Sequence, residues 1–179
     1  MKSFNEQKLQ IRCVKWFRLQ YPSFARLLEH PQNEDYGERL RGQLAKAEGV
    51  VAGVADLILH VPSVMHMVDG KPQEEGWHYY SLAIEMKTIS GRQSVTQKIW
   101  QTYFEAAGGR YAVVRTFEQF QEVVREYMDG VPQQTRDAIY FAHDSVTDYL
   151  RETQRQHLRK IISKGGATAK KQLKRIVRI

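Results

Sequence analysis

Residues 80–91 read YSLAIEMKTISG, an apolar, strand-like run that ends on two charged residues, Glu85 and Lys87, just before a Gly-containing turn. Side chains alternate across a strand, so Leu82, Ile84 and Met86 point to one face while Glu85 and Lys87 share the other. The three apolar side chains can enter a core and leave the carboxylate and the ammonium to project together. Upstream, GVADLILHV at residues 53–61 is rich in branched residues and reads as a second strand, interrupted in the same way by Asp56. An acid inside such a run is costly to bury unless something pairs with it. If the two strands are neighbours with Asp56 facing Glu85, two carboxylates and one ammonium converge.

That convergence has a chemical meaning. Carboxylates packed together repel unless a cation neutralises them, and a hard cation such as Mg²⁺ binds through one or two carboxylates plus water and phosphate oxygens. The metal acts as a Lewis acid on a phosphodiester and lowers the pKa of a bound water that can attack it. Lys87 would add a compact positive charge, either to orient that water or to stabilise charge building on the phosphate. Taken singly, an Asp on a strand or a Glu and Lys two apart at a strand end is an ordinary solvated or ion-paired surface feature. The functional reading therefore depends on the two strands meeting.

Working outward, Phe4 to Gln20 places Leu9, Val14, Trp16, Phe17 and Leu19 at mostly helical spacing, and Tyr21-Pro22 ends that helix. The apolar FARLLEH runs as a short strand into the turn HPQNEDYG, and ERLRGQLAKAEG, residues 38–49, has helix formers with a Gly stop. PSVMHMVDGKPQEEGW carries turn signals and reads as a hairpin excursion into a strand from Tyr79 to Lys87. Ser94 is the expected N-cap of a helix with Ile99, Trp100, Tyr103 and Phe104 on an apolar stripe and a Gly-Gly stop. RYAVVR follows as a strand, then TFEQFQEVVREYMDG as a helix with Phe120, Val123, Val124 and Tyr127 facing inward. The order helix, strand, helix, strand, strand, helix, strand, helix is an α/β pattern with a mixed sheet. Residues 1–130 make one domain, 131–164 a helical extension of one long helix or two, and 165–179 a basic, partly apolar tail.

Composition sets the class. The 179 residues are 42% hydrophobic and 26% charged, values of a globular chain with a real core. The single cysteine, Cys13, cannot form an intramolecular disulfide, and the first helix lacks the uninterrupted apolar stretch of a signal peptide. No run approaches the ~20 apolar residues of a membrane span. The expectation is a soluble cytoplasmic protein with no membrane partner. The net charge of +7 is uneven. From Arg151 to Ile179 there are ten Lys or Arg and one acid, Glu152, and the remaining 17 basic and 19 acidic residues leave the body at −2. A basic end on a near-neutral body suggests a polyanion contacted from the C-terminus, with a solvated helix and frayed end as the alternative.

The pattern G-x-x-D-L, I-E-x-K, G-R-x-S-x-x-Q-x-x-W, carried by Asp56, by Glu85 and Lys87 and by Gly91 to Trp100, resembles the PD-(D/E)XK nuclease superfamily. Within it, the VRR-NUC (virus-type replication-repair nuclease) family is the resemblance, over about residues 3–129 and including Glu6, Gln7 and the HPQNE turn. The resemblance implies a restriction-endonuclease-like α/β fold with a mixed four-stranded sheet flanked by helices, Mg²⁺ or Mn²⁺ dependence and cleavage of structured DNA. Stand-alone members are similar to Holliday junction resolvases and act as homodimers, and the expected source of this chain is a bacterium or a phage. The same resemblance makes Glu6, Asp56 and Glu85 metal ligands, Lys87 the catalytic lysine and Gln97 a further site residue. One departure is Val54-Ala55-Asp56, where the superfamily name expects proline before the aspartate. The extension after Gly130 has no counterpart.

Each implied residue has an ordinary alternative. Gln97 follows Ser94 at capping-box spacing, and Glu6 in the first turn of its helix suits the helix dipole without any metal. His30, before Pro31, is a turn residue that could also touch a phosphate. Trp100, Tyr103 and Phe104 are at core spacing rather than placed for base stacking. Candidate phosphate contacts in the basic end are Arg159, Lys160, Lys164, Lys170, Lys171, Lys174 and Arg175. The leading expectation is a structure-selective DNA endonuclease of replication, repair or recombination. The alternatives are a restriction-like or nicking nuclease, or a DNA-binding module that keeps the fold without the reaction.

Overall fold

The computed structural model describes residues 4–31, 47–68 and 71–163. Most of the expected helix over residues 38–49 lies outside them. Helix α1 spans Phe4–Gln20, and a 3₁₀ helix, Pro22–Leu27, leads into strand β1, Leu28–Glu29. Strand β2 is Leu57–Leu59, the hairpin strands β3 and β4 are Ser63–Val68 and Lys71–Tyr79, and β5 is Leu82–Met86. Helix α2, Val95–Ala106, strand β6, Arg110–Val114, helix α3, Phe117–Asp129, and helix α4, Gln133–Ser163, complete the order.

The main sheet has four strands in the order β1-β2-β5-β6. Strands β1 and β2 and strands β2 and β5 pair antiparallel, whereas β5 and β6 run parallel across the α2 crossover. The sheet is therefore mixed and flanked by helices, as the sequence pattern predicts. All five residues of β5 are buried, because both faces of this central strand are covered. On one face Ala83, Ile58 and Ala55 form a shallow floor under Trp100 and Phe104 of α2 and Tyr111 of β6. The opposite face presents Leu57, Leu59, Leu82, Ile84 and Met86, all 1% exposed or less. Helices α1 and α3 pack on each other and on β5 and β6, joined by edge-to-face contacts of Trp16 with Phe117 and Phe120.

Four details differ from the sequence reading. FARLLEH is mostly 3₁₀ helix, because Pro22 presets the first turn and Phe24 turns into the core; only Leu28 and Glu29 join the sheet. The strand expected from Tyr79 to Lys87 is divided: Tyr79 ends the hairpin, and the Tyr80 amide and the Ser81 carbonyl bond to Gly108 and Arg110 as the chain enters the main sheet. Only half of the expected α2 stripe packs on the sheet, and it is partly rather than fully buried. Trp100 and Phe104 stack with centroids 4.7 Å apart, whereas Ile99 and Tyr103 are exposed, because the floor beneath the helix is narrow. Leu19 is likewise exposed, and Cys13 takes its place in the buried stripe of α1.

Residues Met1–Arg136 and Asp137–Ile179 form two compact units. Among the described residues, no helix is long and apolar enough to cross a membrane.

Candidate active site

Asp56 precedes β2 by one residue. The antiparallel register pairs Leu57 with Ile84, so one step further along the ladder Asp56 stands opposite Glu85. Its Oδ2 accepts the Met86 amide at 2.7 Å, which fixes the carboxylate over the end of β5. The backbone here is held from two sides. His30 Nδ1 donates to the Asp56 carbonyl at 2.6 Å. Gly53 lies so close to the start of α2 that an added Cβ would come within 2.4 Å of the Thr96 carbonyl. Gly53 also has φ +86°, a conformation that only glycine adopts readily.

Glu85 is 1% exposed and fully partnered. Its Oε1 accepts Lys87 Nζ at 2.7 Å and also the Gln97 side-chain amide, while Oε2 accepts the Tyr111 hydroxyl at 3.3 Å. Burial pushes its carboxyl above the usual range and the Asp56 charge pushes the same way; Lys87 and the Tyr111 hydroxyl act in the opposite direction. Burial, and next the charge of Glu85, raise the Tyr111 hydroxyl, which keeps it a donor. Lys87 lies one residue beyond β5, and its amide bonds to the Val114 carbonyl at 2.9 Å, extending the parallel ladder by one step.

Gln97 holds both places that its spacing suggests. Its Oε1 accepts the Ser94 amide at 2.8 Å and its backbone amide bonds to Ser94 Oγ at 3.2 Å, a complete capping box. Its Nε2 then reaches Glu85. An amide has an acceptor at one end and donors at the other, so capping and contact with the site are served by one side chain.

Glu6 stands at the edge of this cluster. Its Oε1 accepts the Thr88 amide at 2.9 Å, and with Asn5, Leu9, Lys87, Thr88, Ile89 and Arg115 it lines an open pocket of about 230 Å³. Among the described residues, no three His, Cys, Asp or Glu side chains gather closely enough to cage a metal ion on their own. Arg159 and Lys160 are exposed on α4, and Lys164, Lys170, Lys171, Lys174 and Arg175 lie outside the described residues.

Sequence reasoning missed Tyr111 and Arg115 as neighbours of this site, and it weighed His30 as a turn residue that could touch a phosphate, not as a support of the Asp56 backbone. Tyr111 had a usable signal: in the parallel register it pairs with Ala83, two residues from Glu85 on the same face. His30 and Arg115 reach the site through main-chain carbonyls, which no side-chain pattern announces.

No family model matches this chain, and no curated protein does. Among solved structures it is similar to one described as a VRR_NUC domain protein, with a TM-score of 0.56 at 18% identity, over 73% of this chain and 93% of that chain. The mixed four-stranded sheet with its flanking helices is thus a VRR-NUC, restriction-endonuclease-like fold, continued here by a C-terminal helix.

Proposed function

We propose that this chain is a metal-dependent DNA endonuclease that hydrolyses phosphodiester bonds at Asp56, Glu85 and Lys87. One observation carries the reading: the antiparallel register sets Asp56 opposite a buried Glu85 whose Oε1 is ion-paired with Lys87 at 2.7 Å. A strand that needed only a solvated end would have no reason to bury a carboxylate beside a second one. The fold shared with a VRR_NUC domain protein supports the same reading.

The donor set fits a hard divalent cation. Two facing carboxylates, one of them buried with its carboxyl raised by burial and by the other's charge, gather negative charge that a cation would neutralise. With no three-acid cage among the described residues, Mg²⁺ or Mn²⁺ would be held by Asp56 and Glu85, with water and phosphate oxygens filling the other positions and Glu6 as the third acid at the rim. Bound there, the metal would supply Lewis-acid polarisation of the phosphodiester. The chain's own residues do the rest. Asp56 is fixed by the Met86 amide, Gln97 and Tyr111 orient the Glu85 carboxylate, and Lys87 brings positive charge to the attacking water and to the phosphoryl oxygens as they gain charge.

The substrate is DNA, in our reading branched or otherwise structured, with a homodimer spanning it and the basic C-terminal residues on its backbone. The test is a cleavage panel of four-way junction, flap, nicked and single-stranded DNA. Cutting of at least one structured substrate with Mg²⁺ or Mn²⁺, and none with EDTA, is expected. Binding without cutting under every metal condition would favour the non-catalytic module.

A further inference from the structure

Lys87 and Gln97 come from different elements yet meet on one oxygen of Glu85, so the segment between them sets the geometry of the cluster. That segment begins with a tight turn, Thr88 to Gly91, closed by a bond from the Gly91 amide to the Thr88 carbonyl at 3.0 Å. Arg115 holds the turn from outside. Its Nη1 donates to the carbonyls of Thr88 at 2.6 Å and Gly91 at 2.7 Å, with Ile89 at 3.4 Å. The parallel register explains the placement. Met86 pairs with Val114 and the Lys87 amide bonds to the Val114 carbonyl, so the next residue on β6's side, Arg115, is level with Lys87. Arg115 is itself fixed, its amide bonded to Gln119 Oε1 at 2.9 Å at the capped start of α3. On the turn's other side, Glu6 takes the Thr88 amide.

We infer that Arg115 is a positioning residue for the reaction: by gripping the 88–91 turn it sets where Lys87 and Gln97 meet Glu85, without touching the reacting phosphate. This rests on the nuclease reading for its catalytic consequence but not for the clamp. A guanidinium offers rigid, planar donors to several carbonyls at once, and a lysine ammonium on a flexible stem does not reproduce them. Misplacing a catalytic group by about 1 Å can cost on the order of a hundredfold in rate.

The test compares wild-type protein with Arg115→Lys and Arg115→Ala. Expected are a kcat lower by about tenfold in the lysine variant and about a hundredfold in the alanine variant, and unchanged Kd for the same DNA measured without divalent metal. Added guanidinium ion should partly restore kcat to the alanine variant. Amide hydrogen exchange of residues 88–91, measured without DNA, should speed up at least tenfold in both variants while β5 and β6 keep their protection. Wild-type kcat in both variants, a loss confined to DNA affinity, or unchanged exchange in the turn would overturn the proposal. If the alanine variant does not fold, the lysine variant decides on the same criteria. Should wild-type protein cut no DNA, the nuclease reading falls, and the exchange measurement still decides whether Arg115 holds the turn.

Discussion

Glu85 is the one buried acid among the described residues, and its surroundings explain both its cost and its use. Its carboxyl is raised by burial first and by Asp56 second, so in the metal-free protein the folded state holds the Glu85 proton more tightly than the unfolded chain does. Stability therefore falls as pH rises from the ordinary carboxylate value through the raised folded value, and the full penalty stands above it. Replacing Glu85 with Gln removes this titration. In EDTA, Tm of Glu85→Gln should gain on wild type as pH rises from about 4 to about 8, and a Tm difference independent of pH would contradict the burial argument. Mg²⁺ at about 100 times its Kd should raise wild-type stability by about 2.7 kcal/mol and leave the variant nearly unaffected. At this scale much was legible in the sequence. Period-two alternation gives Glu85 and Lys87 a common face, and the Ser94-x-x-Gln97 spacing gives the cap. The bond from Gln97 to Glu85 was not legible from spacing, because it depends on how a helix is laid across a strand.

At the scale of elements, two close approaches position the site: the Arg115 grip on the turn after β5, and the Gly53 backbone against the first turn of α2. Alanine at Gly53 would be strained at φ +86° and would press its Cβ onto the Thr96 carbonyl. Gly53→Ala should cost about 2 kcal/mol or more, a Tm lower by roughly 4–8 °C for a chain of this size. A variant with wild-type Tm would mean that α2 and the segment before β2 can separate without penalty. Strong periodicity fixed the identity of α1, β5 and α3 from sequence alone. It misjudged FARLLEH, where Pro22 and Phe24 favour a 3₁₀ turn over a strand, and α2, where helical spacing marks Ile99 and Tyr103 as apolar but says nothing of how wide a floor lies beneath. Strand pairing has the same origin: the Asp56–Glu85 alignment comes from a ladder between segments about thirty residues apart, which neither segment's own pattern contains.

Across the whole molecule, charge separates a near-neutral body from a C-terminal end with a surplus of nine positive charges. Counterion release gives this a measurable form, since each neutralised phosphate steepens the salt dependence of binding by about 0.7–0.9 in log–log slope. A chain truncated after Lys164, which lacks Lys170, Lys171, Lys174, Arg175 and Arg178, should bind DNA more weakly and with a flatter slope. An identical slope would mean that these residues do not touch the backbone. The central claim, that Asp56, Glu85 and Lys87 form a hydrolytic site, is tested most directly by cleavage and binding measured side by side in wild type, Asp56→Ala and Lys87→Ala with Mg²⁺. The site predicts cleavage by wild type, loss of cleavage in both variants by at least about a thousandfold, and DNA binding retained in each. Cleavage at the wild-type rate by both variants would contradict it.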